Sequence, residues 1–343
     1  MKTRRINFGV IGAGGIASRR TIPGLLKAKN CRLVAVMNPS RSAEIAARFG
    51  AAKAYTSDAE LLADPDVEAV YIASPVCHHA RQIQMAAAAG KHVLCEKPLT
   101  MNVKEARAAG AACRRHKVFL QEAYMMKFHG AHRRLKELID AGELGRLVSM
   151  RAQLSCWYPP LEGAWRQRLT TGGGGALIDM ATHLYDLLEH FAGPIRRLSA
   201  LTGHLVQGYE SEDASTTLIQ FASGAHATVD CFFCIPDEAS RNRLEVYGSE
   251  GAVLAEGTIG QDPGGSMEGI FGLGAAPDDA TRRPVGARRY RPIPFRRINT
   301  YTAECEYFAD CVLRGEPPAF SDADNAVRIA QLTALAYASA PRE

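Results

Sequence analysis

A chain of 343 residues is too long for one ordinary core, so two domains are expected. Hydrophobic residues at 47% and charged residues at 22% are normal for a soluble globular protein, and a net charge of +5 is too modest to mark a nucleic-acid or membrane partner. No apolar run reaches the ~20 residues that span a bilayer, and no signal-peptide h-region precedes the first strand, so a cytoplasmic location is expected.

The first third alternates strand and helix patterns. A short apolar strand at 8–11 is followed by a glycine-rich turn and a helical stretch to residue 29. A second strand is expected at 32–37, after which Asn38-Pro39 reads as an N-cap with proline at the first helical position, opening a helix that runs through 42–49. Further strands are expected at 69–73, 92–95 and 118–121, with a helix over 79–89. This rhythm predicts a doubly wound parallel sheet, a Rossmann domain over 1–125.

Beyond residue 125 the pattern changes. A helix over 132–141 ends at Gly142. Strands are expected at 147–156, 197–206, 215–221, 225–233 and 243–247, and Gly248–Gly251 turns the chain before a strand at 252–255. An open, mostly antiparallel sheet in an α/β domain over 126–343 is the natural reading. Residues 257–294 are rich in Gly, Pro and Arg, show no periodicity and predict a long loop or flap. Arg282, Arg283, Arg288, Arg289, Arg291, Arg296 and Arg297 cluster there or just beyond. They read as a solvated loop ahead of a nucleic-acid contact, with an acidic substrate or a partner subunit also open. Closing helices are expected at 300–314 and 322–338, the last able to pack back on the first domain. Of nine cysteines, only Cys231 and Cys234 are close, inside an apolar run over 229–235; buried free thiols in a reducing compartment account for them, and no metal site is expected.

Gly12, Gly14 and Ala17 fit G-x-G-x-x-[G/A] between a strand and a helix. The first glycine permits the tight turn, the second lets backbone approach a pyrophosphate, and Ala17 lets the helix pack on the strand. Gly12, Gly14, Gly15 and Ile16 are the candidate phosphate cradle at a helix N-terminus. After the second strand, the acid that normally binds a ribose 2′-hydroxyl is absent; Asn38, Ser40 and Arg41 stand there instead. That favours NADP, with Ser40 and Arg41 on the 2′-phosphate, over the alternative NAD; Asn38 as a simple cap with Arg41 in solvent also remains open. Ser74, Pro75 and His79 end another crevice strand and are candidate cofactor contacts. So are Glu96 and Lys97, at the end of the 92–95 strand and before Pro98.

The second constellation is the glycine run 172–175 followed by a helix on which Asp179, His183, Asp186 and His190 share one face. A solvated face and a metal site are alternatives to an acid–base pair. Lys97, Asp179 and His183 are the candidate catalytic residues; Tyr124, Trp165 and Arg166, together with Asp179 and His183, are the candidate substrate contacts. Trp165 and Arg166 suit stacking on a sugar ring and hydrogen bonding to its hydroxyls, with ordinary domain packing equally open for each.

These residues resemble the Gfo/Idh/MocA oxidoreductases. The marks are GAGGIA at 12–17, AGKHVLCEKPL at 89–99, QEAYM at 121–125 and GGGALIDMATH at 173–183. The resemblance implies an NAD(P)-dependent enzyme moving a hydride between nicotinamide and a secondary alcohol or aldose carbon of a sugar, cyclitol or related polyol. Lys97, Asp179 and His183 then map onto the family's reacting groups: His183 takes the hydroxyl proton, Lys97 stabilises the alkoxide, and Asp179 orients substrate or imidazole. It also implies a homodimer or homotetramer paired through the open sheet. QEAYM is similar to NADP-using members. Val76, where the family often has asparagine, and the missing second-strand acid depart from the pattern. An NAD-using glycosidase or eliminating enzyme with internally recycled cofactor, or a non-catalytic cofactor or sugar sensor, is the alternative.

Overall fold

The computed structural model describes residues 4–273 and 289–340. Six parallel strands form the first sheet: β1 (Ile6–Ile11), β2 (Cys31–Met37), β3 (Lys53–Tyr55), β4 (Ala69–Ile72), β5 (His92–Glu96) and β6 (Leu120–Ala123), in the order β3-β2-β1-β4-β5-β6. β4 is fully buried, as a strand covered on both faces must be. The covering helices are α1 (Ile22–Lys27), α2 (Ser42–Phe49), α3 (Asp58–Ala63), α4 (Val76–Ala88) and α5 (Val103–Arg115). Strand order reverses between β1 and β4, which opens a crevice at their carboxyl ends.

Several elements differ from the sequence expectations. The helix after the glycine turn begins as a π-helical segment over Ala17–Thr21 before α1. Asn38 does not start α2. Its Oδ1 accepts the N–H groups of Ser40 and Arg41 at 3.2 and 2.9 Å, an Asx turn that delays the helix to Ser42. β3, α3 and α5 were not anticipated, although α3 carries a legible capping box of Ser57 and Glu60 and α5 an N-cap at Asn102. α4 begins at Val76, three residues before the expected start.

The chain then passes through α6 (Gly130–Asp140) and enters an eight-stranded second sheet. Its strands are β7 (Leu147–Ser155), β8 (Ile195–Gly203), β9 (Ala214–Phe221), β10 (His226–Phe232), β11 (Arg243–Gly248), β12 (Ala252–Glu256), β13 (Ser266–Ile270) and β14 (Arg291–Pro292). The order is β14-β13-β12-β11-β7-β10-β9-β8, antiparallel except where β7 meets β10. β13 and β14 correct the expectation of a continuous loop over 257–294. They are short strands at one end of the sheet, β14 at the very edge, and β13 alternates only over Met267 and Gly269, too brief a period to read from sequence. Arg282, Arg283 and Arg288 of the arginine cluster lie outside the described residues.

Between β7 and β8 run α7 (Leu169–Gly172), a second π-helical turn over Leu177–Ala181, and α8 (Thr182–Ala192). Leu184, Leu187 and Leu188 of α8 pack with Met150, Val229, Leu244 and Val246 of the sheet in one core. Among the described residues the other face carries no helix, and it exposes Leu201 and Leu218 by 62% and 60%. Finally α9 (Thr300–Arg314) and α10 (Ala323–Ser339) return to the first sheet. Phe308 of α9 meets Phe8 at 6.3 Å between ring centroids, and Ala326 of α10 joins the core under α4 and α5. No helix among the described residues is long and apolar enough to cross a membrane.

Candidate active site

The glycine turn follows β1. Gly12 has φ +73°, and a Cβ there would stand 2.5 Å from the Ser74 backbone nitrogen, so only glycine lets the turn lie against the end of β4. Gly14 leaves room for the Asn38 amide, 3.3 Å from where its Cβ would be. Gly15, at φ +45°, has nothing within 4 Å of its Cβ position. Ile16 follows as the helix opens, where the first N–H groups have no intrahelical partner. An open glycine cradle backed by helix N–H groups fits a dinucleotide pyrophosphate.

Around that cradle the predicted contacts divide. Asn38 and Ser40 stay at the rim, and Arg41 is exposed and engaged by Glu44 at 2.6 Å. Ser74 donates to Gln82, and Pro75 precedes the first turn of α4. His79 is not on the cleft surface. It is 1% exposed, with Nε2 2.9 Å from the Ser74 carbonyl and Nδ1 3.1 Å from the Pro98 carbonyl, so the ring fills the space behind two strand-end loops and donates its one N–H to one of them. Burial lowers it to about 4, which keeps it neutral. Glu96 likewise turns inward: it accepts the Tyr71 hydroxyl at 2.6 Å and the Lys97 N–H at 3.3 Å.

Lys97 crosses to the second domain. Its Nζ lies 2.9 Å from Asp179 Oδ1 and 2.6 Å from the Asp179 carbonyl. The same carboxylate oxygen accepts Arg166 Nε at 3.0 Å, and the Arg166 guanidinium lies 4.2 Å from the centre of the Trp165 ring. Burial alone would raise the Asp179 carboxyl, but Lys97 and Arg166 outweigh it and hold it far below the usual carboxylate range. One turn on, His183 is 6% exposed, and its Nδ1 has no hydrogen-bond partner among the described residues. Burial, and then the Lys97 ammonium, push it well below the usual histidine range, so the imidazole is neutral. Tyr124 packs edge-on against it at 5.5 Å.

The structure thus brings together Lys97, Asp179, Arg166, Trp165, His183 and Tyr124. Asp179 holds the two cations, and among the described residues it makes no hydrogen bond to the imidazole. Asp186 and His190 leave the cleft. Asp186 pairs with buried Lys127 at 2.7 Å and His190 packs on Phe320, because the later half of α8 faces the Met125–Phe128 turn and α10, where Arg328 holds Glu189. The glycine run serves packing more than ligand approach: Gly173 adjoins Met101 while Gly174 and Gly175 adjoin Tyr337 and Glu212. Glu212 and Tyr337 were passed over in the sequence, since an acidic loop and a helix-end tyrosine carry no local signal. No group of three or more His, Cys, Asp or Glu able to hold a metal is found among the described residues.

Residues 6–124 match the model of an oxidoreductase family with an NAD-binding Rossmann fold, and residues 132–254 match the GFO/IDH/MocA C-terminal domain. The chain is 33% identical to 1,5-anhydro-D-fructose reductase of Ensifer adhaerens, over 76% of this chain and 78% of that one. It is 30% identical to D-xylose 1-dehydrogenase (NADP(+)) 2 of Haloferax volcanii, over 97% of each. In fold it is similar to the aldose-aldose oxidoreductase of Caulobacter crescentus, with a TM-score of 0.86 at 23% identity, covering 98% of this chain and 97% of that one. An open phosphate cradle, a lysine at the end of a crevice strand and a neutral histidine beside it occur here in a chain that belongs to the GFO/IDH/MocA family of NAD(P)-dependent oxidoreductases.

Proposed function

We propose that this oxidoreductase acts on a secondary alcohol or aldose carbon of a sugar, cyclitol or related polyol, with Lys97, Asp179 and His183 as its reacting set. The observation that carries the reading is the contact of Lys97, from the Rossmann sheet, with Asp179, one turn from His183, in the second domain. A bound nicotinamide dinucleotide supplies the hydride acceptor in oxidation and the donor in reduction. Gly12, Gly14, Gly15 and Ile16 hold its pyrophosphate, with Ser74 and Pro75 shaping the adjoining wall and Glu96 bracing it from within through Tyr71. In oxidation, neutral His183 takes the hydroxyl proton and the Lys97 ammonium stabilises the developing alkoxide. Asp179 aims that ammonium. Trp165 and Arg166 face the sugar ring and its hydroxyls, and Tyr124 backs the imidazole. His79 acts by bracing the Ser74 and Pro98 loops.

NADP is the preferred dinucleotide in this reading. Asn38, Ser40 and Arg41 replace the acid that would repel a 2′-phosphate, and Arg41 is exposed at the rim. A second copy of the chain covers the open face of the second sheet, giving a homodimer or homotetramer. Nine free cysteines suit a reducing cytoplasm.

The test is a cofactor-reduction screen with both dinucleotides against sugars, sugar acids and cyclitols, repeated with Lys97→Ala. Turnover by the native chain, lost in Lys97→Ala while dinucleotide binding persists, supports the reading. Unchanged turnover in that variant overturns the role of Lys97, and activity with NAD alone overturns the cofactor preference. Release of a leaving group with no net change in the cofactor would place the chemistry in elimination instead.

A further inference from the structure

The turn that carries Asp179 and reaches His183 is held from a segment just before β9. Glu212 is 7% exposed, and its carboxylate accepts three donors: the Gly175 N–H at 2.9 Å, the Leu177 N–H at 3.0 Å and the Tyr337 hydroxyl at 2.8 Å. Its backbone carbonyl accepts the Ala176 N–H at 2.9 Å. One residue therefore satisfies three successive amides at the start of the helix, donors that a helix cannot satisfy internally. The close approach depends on glycine, because a Cβ at Gly175 would run into the Glu212 carbonyl.

The neighbours of Glu212 extend the same function. Ser211 donates its hydroxyl to the Arg166 carbonyl at 3.0 Å and its N–H to the Gln167 carbonyl at 3.3 Å. Asp213, fully buried, accepts the N–H groups of Leu205, Val206 and Gln207 at 2.8, 2.8 and 2.7 Å and so stiffens its own loop. Three consecutive residues thus tie the backbone of Arg166 to the start of the helix that presents Asp179.

We propose that Glu212 is a positioning residue: its carboxylate fixes the height and rotation of the turn that sets Asp179 against Lys97 and His183 beside them. The inference rests on the site reading above. Two acceptor oxygens are required, because the isosteric amide of glutamine would turn a donor toward an N–H or a hydroxyl. The effect belongs in kcat and in the environment of the imidazole. The Rossmann glycine turn is built on other strands, so dinucleotide affinity is spared.

The experiment compares Glu212→Gln, Glu212→Asp and Tyr337→Phe with the native chain by steady-state kinetics and by NMR of ring-labelled histidine. In Glu212→Gln, kcat falls roughly ten- to a hundred-fold, while KM for the dinucleotide stays within about twofold and the His183 ring resonances move. Glu212→Asp recovers part of kcat, and Tyr337→Phe gives a smaller loss in the same direction. Native kcat and His183 resonances in folded Glu212→Gln overturn the proposal whatever its thermal stability. So does an equal loss of turnover and dinucleotide affinity. If Glu212→Gln does not fold, Tyr337→Phe decides: unmoved resonances and kcat overturn it. Turnover that survives His183→Asn defeats the site reading, and the resonance readout then still decides the case of Glu212.

Discussion

Between Lys97 and Arg166 the Asp179 carboxylate takes one donor from each, and both cations lose much of their hydration to reach it. A pair held this way is costly to break, because the partners left behind are charged and largely buried. Asp179→Asn keeps the shape and removes the charge. It is expected to cost about 3 kcal/mol of stability and to depress turnover more than dinucleotide affinity, read by denaturant unfolding beside steady-state kinetics. Lys97 and His183 were legible from their motifs, since a strand end and a helical face are local features. That Asp179 holds the two cations was not legible: Lys97 comes from a strand end 82 residues away and Arg166 from a segment with no clear period. The same holds for His79, whose burial behind the loops depends on how α4 seats under them.

Glycine positions show how local backbone and neighbouring elements combine. At Gly12 both act together, a left-handed φ and the end of β4 pressed against it. Gly12→Ala should therefore weaken dinucleotide binding at least tenfold, more than Gly15→Ala, whose Cβ meets open space and pays only the backbone strain. Calorimetric titration with NADPH distinguishes them, and equal losses would contradict this account. Strands with continuous apolar runs, such as β4 and β5, announce themselves in sequence because both faces are buried. β3, β13 and β14 do not. Each is short, lies at or near a sheet edge and buries little, so its existence depends on the strand it pairs with. The π-helical turns at Ala17–Thr21 and Leu177–Ala181 are likewise invisible to a 3.6-residue period.

Across the whole molecule, the junction between the two sheets buries a set of carboxyl groups. Glu122 is 1% exposed, holds the Leu99 N–H at 2.7 Å and is raised by burial from the usual 4.5 to about 8. Because the protonated form is favoured in the folded state, its stabilising contribution is complete below about pH 4.5 and is lost as pH rises through about 8. The native chain should accordingly lose more stability than Glu122→Gln between about pH 5 and pH 9, measured by denaturant unfolding; parallel pH profiles would contradict this. The open face of the second sheet invites a separate test. Leu218→Glu places a charge on that face, on β9 beside the edge strand β8, and should shift the chain toward monomer in analytical ultracentrifugation, with activity per folded chain reported alongside.

By itself, the sequence determined the doubly wound sheet, the phosphate turn, the lysine at a crevice strand and the two-faced helix of Asp179 and His183. Each is written in a contiguous run whose periodicity or glycine placement acts over a few residues. Tertiary structure alone decided which groups meet: Lys97 with Asp179 and Arg166, Asp186 with Lys127, and Glu212 with the start of the helix. Most of these contacts join segments far apart in the chain, and Arg166 reaches Asp179 only because the intervening loop folds back. Their geometry follows from the packing of two sheets around α8, α9 and α10, which no local pattern encodes.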